Sequence, residues 1–340
     1  MQEILCFGEL LLRLSPEAGW PAKGQLSSYV GGAELNVAMA LASWGQPAAV
    51  GTALPDNPVS GLLHNYLKGS QVGTDHIVYK EGRVGTYYLT PGADLKSAGV
   101  VYDRALSSFA LIAPEDIDFD SYLKGVRHLH LTAISPAVSQ TAADTCLALV
   151  EAASRLNIPI SLDLNYRSKL WKYGKAPIDI IPAIAEKATY IMGNIWAVGQ
   201  MLGIAPTEGA EETMDPKLLA GYAKSSAESV VATYPNCKHV GYTFRFNTPD
   251  SEEGVRYFGT LFQQGQLYCS QQKDYTGIVD RAGSGDCFMA GLLYSLYQGF
   301  SGQQSVDFAT AAATGKFYEK GDHTTQPLAT VNQRIAELNK

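Results

Sequence analysis

The stretches HLHLT (128–132), TAADTCLALVEAASRL (141–156), IPISLDL (158–164), IIPAIAEK (180–187) and YIMG (190–193) decide the fold class. The first, third and fifth are short apolar runs of strand length, and the two between them have helix composition. Strands alternating with helices at this spacing predict a parallel sheet with helices on both faces. Toward the N-terminus, the apolar run 4–7 stops at Gly8 and resumes over 10–14 as a further strand signal. Residues 33–44 read as a helix closed by Gly45. The β-rich runs 84–90 and 99–104 flank the turn signal Pro91-Gly92-Ala93-Asp94 and predict a hairpin standing apart from the alternating units. Toward the C-terminus, 255–272 is β-rich with a turn at Gln264-Gly265, and helices are expected over 286–298 and 305–319. The acidic, proline-containing segment 205–216 reads as a surface loop.

The chain has 340 residues, of which 46% are hydrophobic and 17% charged, with a formal net charge of −7. Soluble domains carry about 25% charged residues, so charge is used sparingly here. The composition is too apolar for disorder, and no run approaches the ~18 apolar residues of a membrane-spanning helix. Negative net charge with scattered Lys and Arg argues against a nucleic-acid surface. Met1–Leu5 lacks the basic start of a secretory leader. Five widely spaced cysteines, with no Cys-x-x-Cys, suggest neither a disulfide framework nor a zinc site. A cytoplasmic globular protein is expected.

Chemistry concentrates in Val279-Asp280-Arg281-Ala282-Gly283-Ser284-Gly285-Asp286, which opens an apolar helix. Small residues let an anion approach the backbone, and the N–H groups and dipole of a helix N-terminus favour negative charge there. On spacing alone Asp286 reads first as a helix cap. An acid at such a place also suits a base that deprotonates an attacking hydroxyl. A second glycine cluster, Gly31-Gly32-Ala33-Glu34-Leu35-Asn36, opens the first long helix. Neither the GxxxxGK[ST] nor the GxGxxG fingerprint is present, which leaves Walker-type and dinucleotide readings without their signatures.

Together the two clusters resemble the paired signatures of the PfkB, or ribokinase-like, carbohydrate kinases, over essentially the whole chain. The resemblance implies one domain over 1–340: a three-layer α/β sandwich with a mainly parallel central sheet, helices on both faces, and a small β-sheet lid from about 9–30 and 84–108. It implies ATP with Mg²⁺, Asp286 as catalytic base, and the backbone of Gly283, Ser284, Gly285 and Asp286 as an anion hole. Leu162-Asp163-Leu164-Asn165-Tyr166-Arg167-Ser168-Lys169-Leu170-Trp171 is similar to a stretch of the 2-keto-3-deoxygluconate kinases. So are 101–104, 130–136 and Gly321-Asp322-His323. A sugar acid needs its carboxylate paired, which Arg does bidentately, so Arg104 and Arg167 are expected at the sugar. Gly32, Asn36, Tyr88, Tyr102 and Ile134 complete the expected sugar-binding set. Lid strands of this family can pair across subunits, so a homo-oligomer through the lid is a further expectation.

The sequence departs from the family pattern in places. Asn194 is present, but Ala197 stands where an acid is usual near the metal, so the metal ligands stay unassigned. Arg281 replaces the usual Thr, and Arg245 lies in an atypical nucleotide-side stretch; either pairs with ATP phosphates or with nearby acids. His128 and His130 share a strand face and read as polar positions on a half-buried strand rather than metal ligands. The alternatives are a kinase for a neutral sugar such as fructose, a sugar-acid-binding protein without catalysis, and, more distantly, a nicotinamide-dependent dehydrogenase.

Overall fold

Alternation along the first strand already implies a sheet covered on both sides: Ile4 and Cys6 pack into one core, Leu5 and Phe7 into the other, and all four are fully buried. A computed structural model describes residues 2–16, 26–89, 99–205, 209, 213–248 and 251–338. In chain order its strands are β1 (Glu3–Phe7), β2 (Leu11–Pro16), β3 (Leu26–Gly31), β4 (Ala48–Leu54), β5 (Ile77–Tyr79), β6 (Gly85–Tyr88), β7 (Val101–Asp103), β8 (Val126–Thr132), β9 (Ile160–Asp163), β10 (Tyr190–Gly193), β11 (His239–Thr248), β12 (Ser251–Gln263), β13 (Gln266–Cys269) and β14 (Lys273–Tyr275). The helices are α1 (Ala33–Ser43), α2 (Pro58–Gly69), α3 (Phe119–Tyr122), α4 (Gln140–Arg155), α5 (Pro177–Ala185), α6 (Ile195–Leu202), α7 (Pro216–Thr233), α8 (Ser284–Gln298), α9 (Gly302–Lys316) and α10 (Leu328–Leu338).

The large sheet runs β13-β12-β11-β10-β9-β8-β1-β4-β5, with β14 beside β12. From β11 to β5 every pairing is parallel, and β12, β13 and β14 form an antiparallel edge. This is the ribokinase-like α/β arrangement, with one apolar core on each face of the sheet. A separate four-stranded sheet has the order β3-β2-β6-β7. Its β6–β7 pair is the expected hairpin, antiparallel with Tyr87 opposite Tyr102. The turn signal at 91–94 lies outside the described residues, as does most of the 205–216 segment.

Local chemistry sets the boundaries. The helix expected from residue 180 begins at Pro177, because proline suits a first turn and the Asp179 carboxylate accepts the Ala176 N–H at 2.8 Å. Gln264 and Gly265 both have positive φ and turn β12 into β13. α1 and α8 are buried almost all round, so both are wedged in the interior with their N-termini held rigidly. Functional loops follow the carboxyl ends of β1, β8, β9 and β10, where ligands bind in open α/β sheets.

Candidate active site

Asp286 lies in the first turn of α8 and is buried. It does not cap its helix. Gly283 occupies the cap position without a side-chain cap, and the Asp286 carboxylate is held from elsewhere. The Asn36 amide donates to its Oδ2 at 2.7 Å, and the Asn165 amide donates to Oδ1 at 3.3 Å. Burial pushes the Asp286 pKa up to about 8; the Asn36 hydrogen bond and Arg167 oppose the rise, while Asp163 and Glu34 add to it. A carboxyl group that titrates near neutrality can take a proton from a substrate hydroxyl at working pH.

The turn before α8 is built for close approach. Gly283 has φ +75°, and a Cβ there would fall 1.6 Å from the Asp322 carbonyl oxygen, so only glycine fits. Helix geometry leaves the first N–H groups of α8 without intrahelical acceptors, and these face a cleft that can hold an anion.

Two clefts meet at this point. One is lined by Asn194, Trp196, Arg245, Arg281 and the 283–286 turn. The other is lined by Gly32, Asn36, Tyr102, Arg104 and Ile134. Asn165, Arg167, Gly283 and Asp286 line both. The two glycine clusters, some 250 residues apart in sequence, are thus brought together with a carboxylate at the junction of two ligand-sized spaces.

Several sequence expectations change in detail. Tyr88 lines neither cleft, whereas Tyr87 does. Neighbouring residues of a strand face opposite ways, and the register puts Tyr87 beside Tyr102, with ring centroids 6.3 Å apart. Arg104 reaches the expected cleft, but its Nε donates to the buried carboxylate of Glu9. Its charge is therefore neutralised inside the protein. Arg167 lines the junction itself. Arg245 donates to Ser284 Oγ and the Arg281 carbonyl, each at 3.3 Å, and Arg281 donates to Asn247 at 3.2 Å. The Asn194 side chain caps α6, accepting the Ala197 N–H at 2.8 Å. His128 and His130 are fully buried rather than half-buried, because β8 is covered on both faces. They bond Tyr297 and Ser161, and burial lowers both pKa values to about 3.

Other residues at the site escaped sequence reasoning. Glu34 Oε1 accepts from the Thr132 N–H and hydroxyl and from the Ser135 hydroxyl at 2.7–2.9 Å, and so ties α1 to the end of β8. Asp322 lines the second cleft, that of Gly32 and Asn36, and accepts from Tyr87 and Arg13. Asp322 and Asp163 sit inside motifs that carry the resemblance, a signal that was available. Glu9 and Arg13 follow the first strand and carry no local signal.

A family model described as "pfkB family carbohydrate kinase" matches residues 1–327. The chain belongs to that family. The kinase is 29% identical to the 2-dehydro-3-deoxygalactonokinase of Haloferax volcanii over 94% of this chain and 92% of the relative. Its structure superposes on the 2-dehydro-3-deoxygluconokinase of Thermotoga maritima with a TM-score of 0.88 at 30% identity, covering 99% and 98% of the two chains. It has the same fold as a ribokinase II of Escherichia coli crystallised with ATP and Mg²⁺, at a TM-score of 0.76 and 17% identity over 99% and 100% of the chains. The kinase is thus a sugar phosphotransferase of an ATP-using family. Among the described residues, no helix is long and apolar enough to cross a membrane.

Proposed function

We propose that the kinase transfers the γ-phosphoryl group of ATP to the terminal hydroxyl of 2-dehydro-3-deoxy-D-gluconate, with Asp286 as general base. The observation that carries this reading is the meeting of two clefts at Asp286 and Arg167. In it, the sugar acid fills the cleft of Gly32, Asn36, Tyr87, Tyr102 and Ile134, and its carboxylate pairs with Arg167. ATP occupies the other cleft, with its phosphates near Arg245, Arg281 and Asn194. The hydroxyl proton passes to Asp286, the hydroxyl oxygen bonds to the γ-phosphorus, and the bond to the β–γ bridging oxygen breaks to release ADP. N–H groups from Gly283 to Asp286 stabilise the charge on the transferred group. The small sheet acts as a lid that keeps water out.

The donor set also fits magnesium. Mg²⁺ on a nucleotide needs only one or two protein carboxylates, since phosphates and waters supply the other ligands. Among the described residues no group of three or more metal-ligating side chains exists, and Asp163, which lines the nucleotide-side cleft, is the acid that would hold the ion in the absence of one at Ala197. When bound, the ion neutralises phosphate charge.

A neutral-sugar kinase is the second reading, favoured by the neutralisation of Arg104 by Glu9, which leaves Arg167 as the principal carboxylate partner. Coupled ADP release over a panel of 2-dehydro-3-deoxygluconate, its galacto epimer, fructose and ribose separates the two. Highest kcat/KM on a keto-acid is expected; turnover confined to fructose or ribose would replace the first reading by the second.

A further inference from the structure

We propose that Arg13, carried on the small sheet, is a positioning residue that sets the geometry of the anion-binding turn. This rests on the phosphoryl-transfer reading above, but not on the identity of the sugar. Arg13 is 1% exposed. Its Nη1 lies 2.7 Å from Asp280 Oδ2 and 2.9 Å from Asp322 Oδ1, and its Nε donates to Ser15 Oγ at 2.9 Å. Ser15 Oγ in turn donates to the Leu89 carbonyl at 2.7 Å, anchoring the group within the small sheet.

The two acids gripped by Arg13 are the two walls of Gly283. On one side, the second oxygen of Asp280 accepts the Ala282 N–H at 3.0 Å and shapes the chain just before the turn. On the other, the Asp322 carbonyl packs where a Gly283 Cβ would be. One guanidinium therefore fixes the turn from both flanks. Asp322 also accepts from the Tyr87 hydroxyl, and both line the sugar-side cleft. The chain of contacts runs from the lining of the sugar-side cleft, through Arg13 of the small sheet, to the turn that opens α8.

Two adjacent buried carboxylates repel unless a cation lies between them, and removing one partner of a buried ion pair costs heavily. Lys316 is a second buried cation nearby: its amine donates to the Glu319 carbonyl at 2.8 Å, and it interacts electrostatically with Asp280 and Asp322. Moderate changes at residue 13 are thereby cushioned. Because Arg13 lines neither cleft and reaches the sugar side only through Asp322 and Tyr87, its loss falls chiefly on transition-state stabilisation and so on kcat, with a much smaller change in ground-state binding.

The test uses Arg13→Lys, which keeps the charge but not the fork, and Asp280→Asn, which keeps an acceptor for the Ala282 N–H. kcat and both KM values are measured alongside melting temperature. Removing an oxyanion donor outright costs about 10²–10³ in kcat; a mis-aimed turn should cost roughly 10-fold or more. Expected are folded variants with that loss in kcat, KM values within about three-fold of wild type, and a double variant little worse than either single one, as for residues acting as a unit. Folded variants with kcat within two-fold of wild type would overturn the assignment, as would a loss appearing only in KM. If Arg13→Lys does not fold, Asp280→Asn decides alone. Should the wild type prefer a neutral sugar, the substrate assignment falls, and the same ratios on that sugar still test Arg13.

Discussion

The Asn36 side-chain amide donates to Asp286 Oδ2 across 2.7 Å and joins the N-terminal ends of α1 and α8. Each of the two glycine clusters opens one of these helices, so the contact unites both signatures around a single carboxylate. It also restrains that carboxylate's basicity: the hydrogen bond works against burial and against the charges of Asp163 and Glu34.

A pH profile follows. Asp286 titrates at about 8 and accepts a proton only as the carboxylate. Log kcat/KM should therefore climb with pH at unit slope below about 8 and level off above it. Asn36→Ala removes a group that favours the charged form and should move the acid limb to higher pH. Steady-state rates from pH 5.5 to 9.5 provide the check; a flat wild-type profile would remove Asp286 from the proton transfer.

Arg167 should govern acid substrates alone. Arg167→Ala is expected to raise KM for the keto-acid by roughly 10–100-fold, as for loss of a charge-assisted hydrogen-bond pair worth about 1.5–3 kcal/mol. Because Arg167 also favours the ionised form of Asp286, turnover of neutral sugars is compared on the plateau above the acid limb, where it should change by less than three-fold. Parallel KM measurements on fructose and the keto-acid read the difference, and equal effects on both would make Arg167 a structural residue.

The fold should lose stability on mild acidification through His128 and His130. Their folded pKa values of about 3 lie below the ordinary 6.5, because burial favours the neutral ring. The unfolded chain binds protons first, so stability is complete above about pH 6.5 and declines as pH falls toward 3, by up to ~1.4 kcal/mol per pH unit for each ring. Asp286 acts with the opposite sign in the same range, since its raised pKa favours the protonated folded form. The histidine share is therefore read as a difference. Melting curves of wild type and the His128→Gln, His130→Gln double variant between pH 8 and 5 should show a flatter dependence in the variant.

Much of this was legible in the sequence because it is local. Strand–helix alternation needs only neighbouring residues, and it placed β8, α4, β9 and β10 in a parallel core. The glycine clusters were legible as helix openings, and their union at Asp286 followed from the family resemblance. What escaped depends on register or on distant pairing. Tyr87 rather than Tyr88 faces the cleft because β6 pairs with β2 and β7 in one register, and a one-residue shift reverses every side chain. Arg104 is neutralised by Glu9, 95 residues away. The grip of Arg13 on Asp280 and Asp322 spans 267 and 309 residues; no local pattern marks it.

The most direct test of Asp286 at the centre of the site is Asp286→Asn, assayed with the keto-acid while substrate affinity and melting temperature are followed. Loss of a general base costs about 10²–10⁴ in rate, so kcat should fall by that order with the dissociation constant for the sugar acid within about five-fold of wild type. Ionising Asp286 costs the fold stability as pH rises from about 4 to 8, so at pH 8 the variant should melt above wild type. A folded variant retaining kcat within ten-fold of wild type, or melting lower at pH 8 with its activity intact, would contradict the assignment.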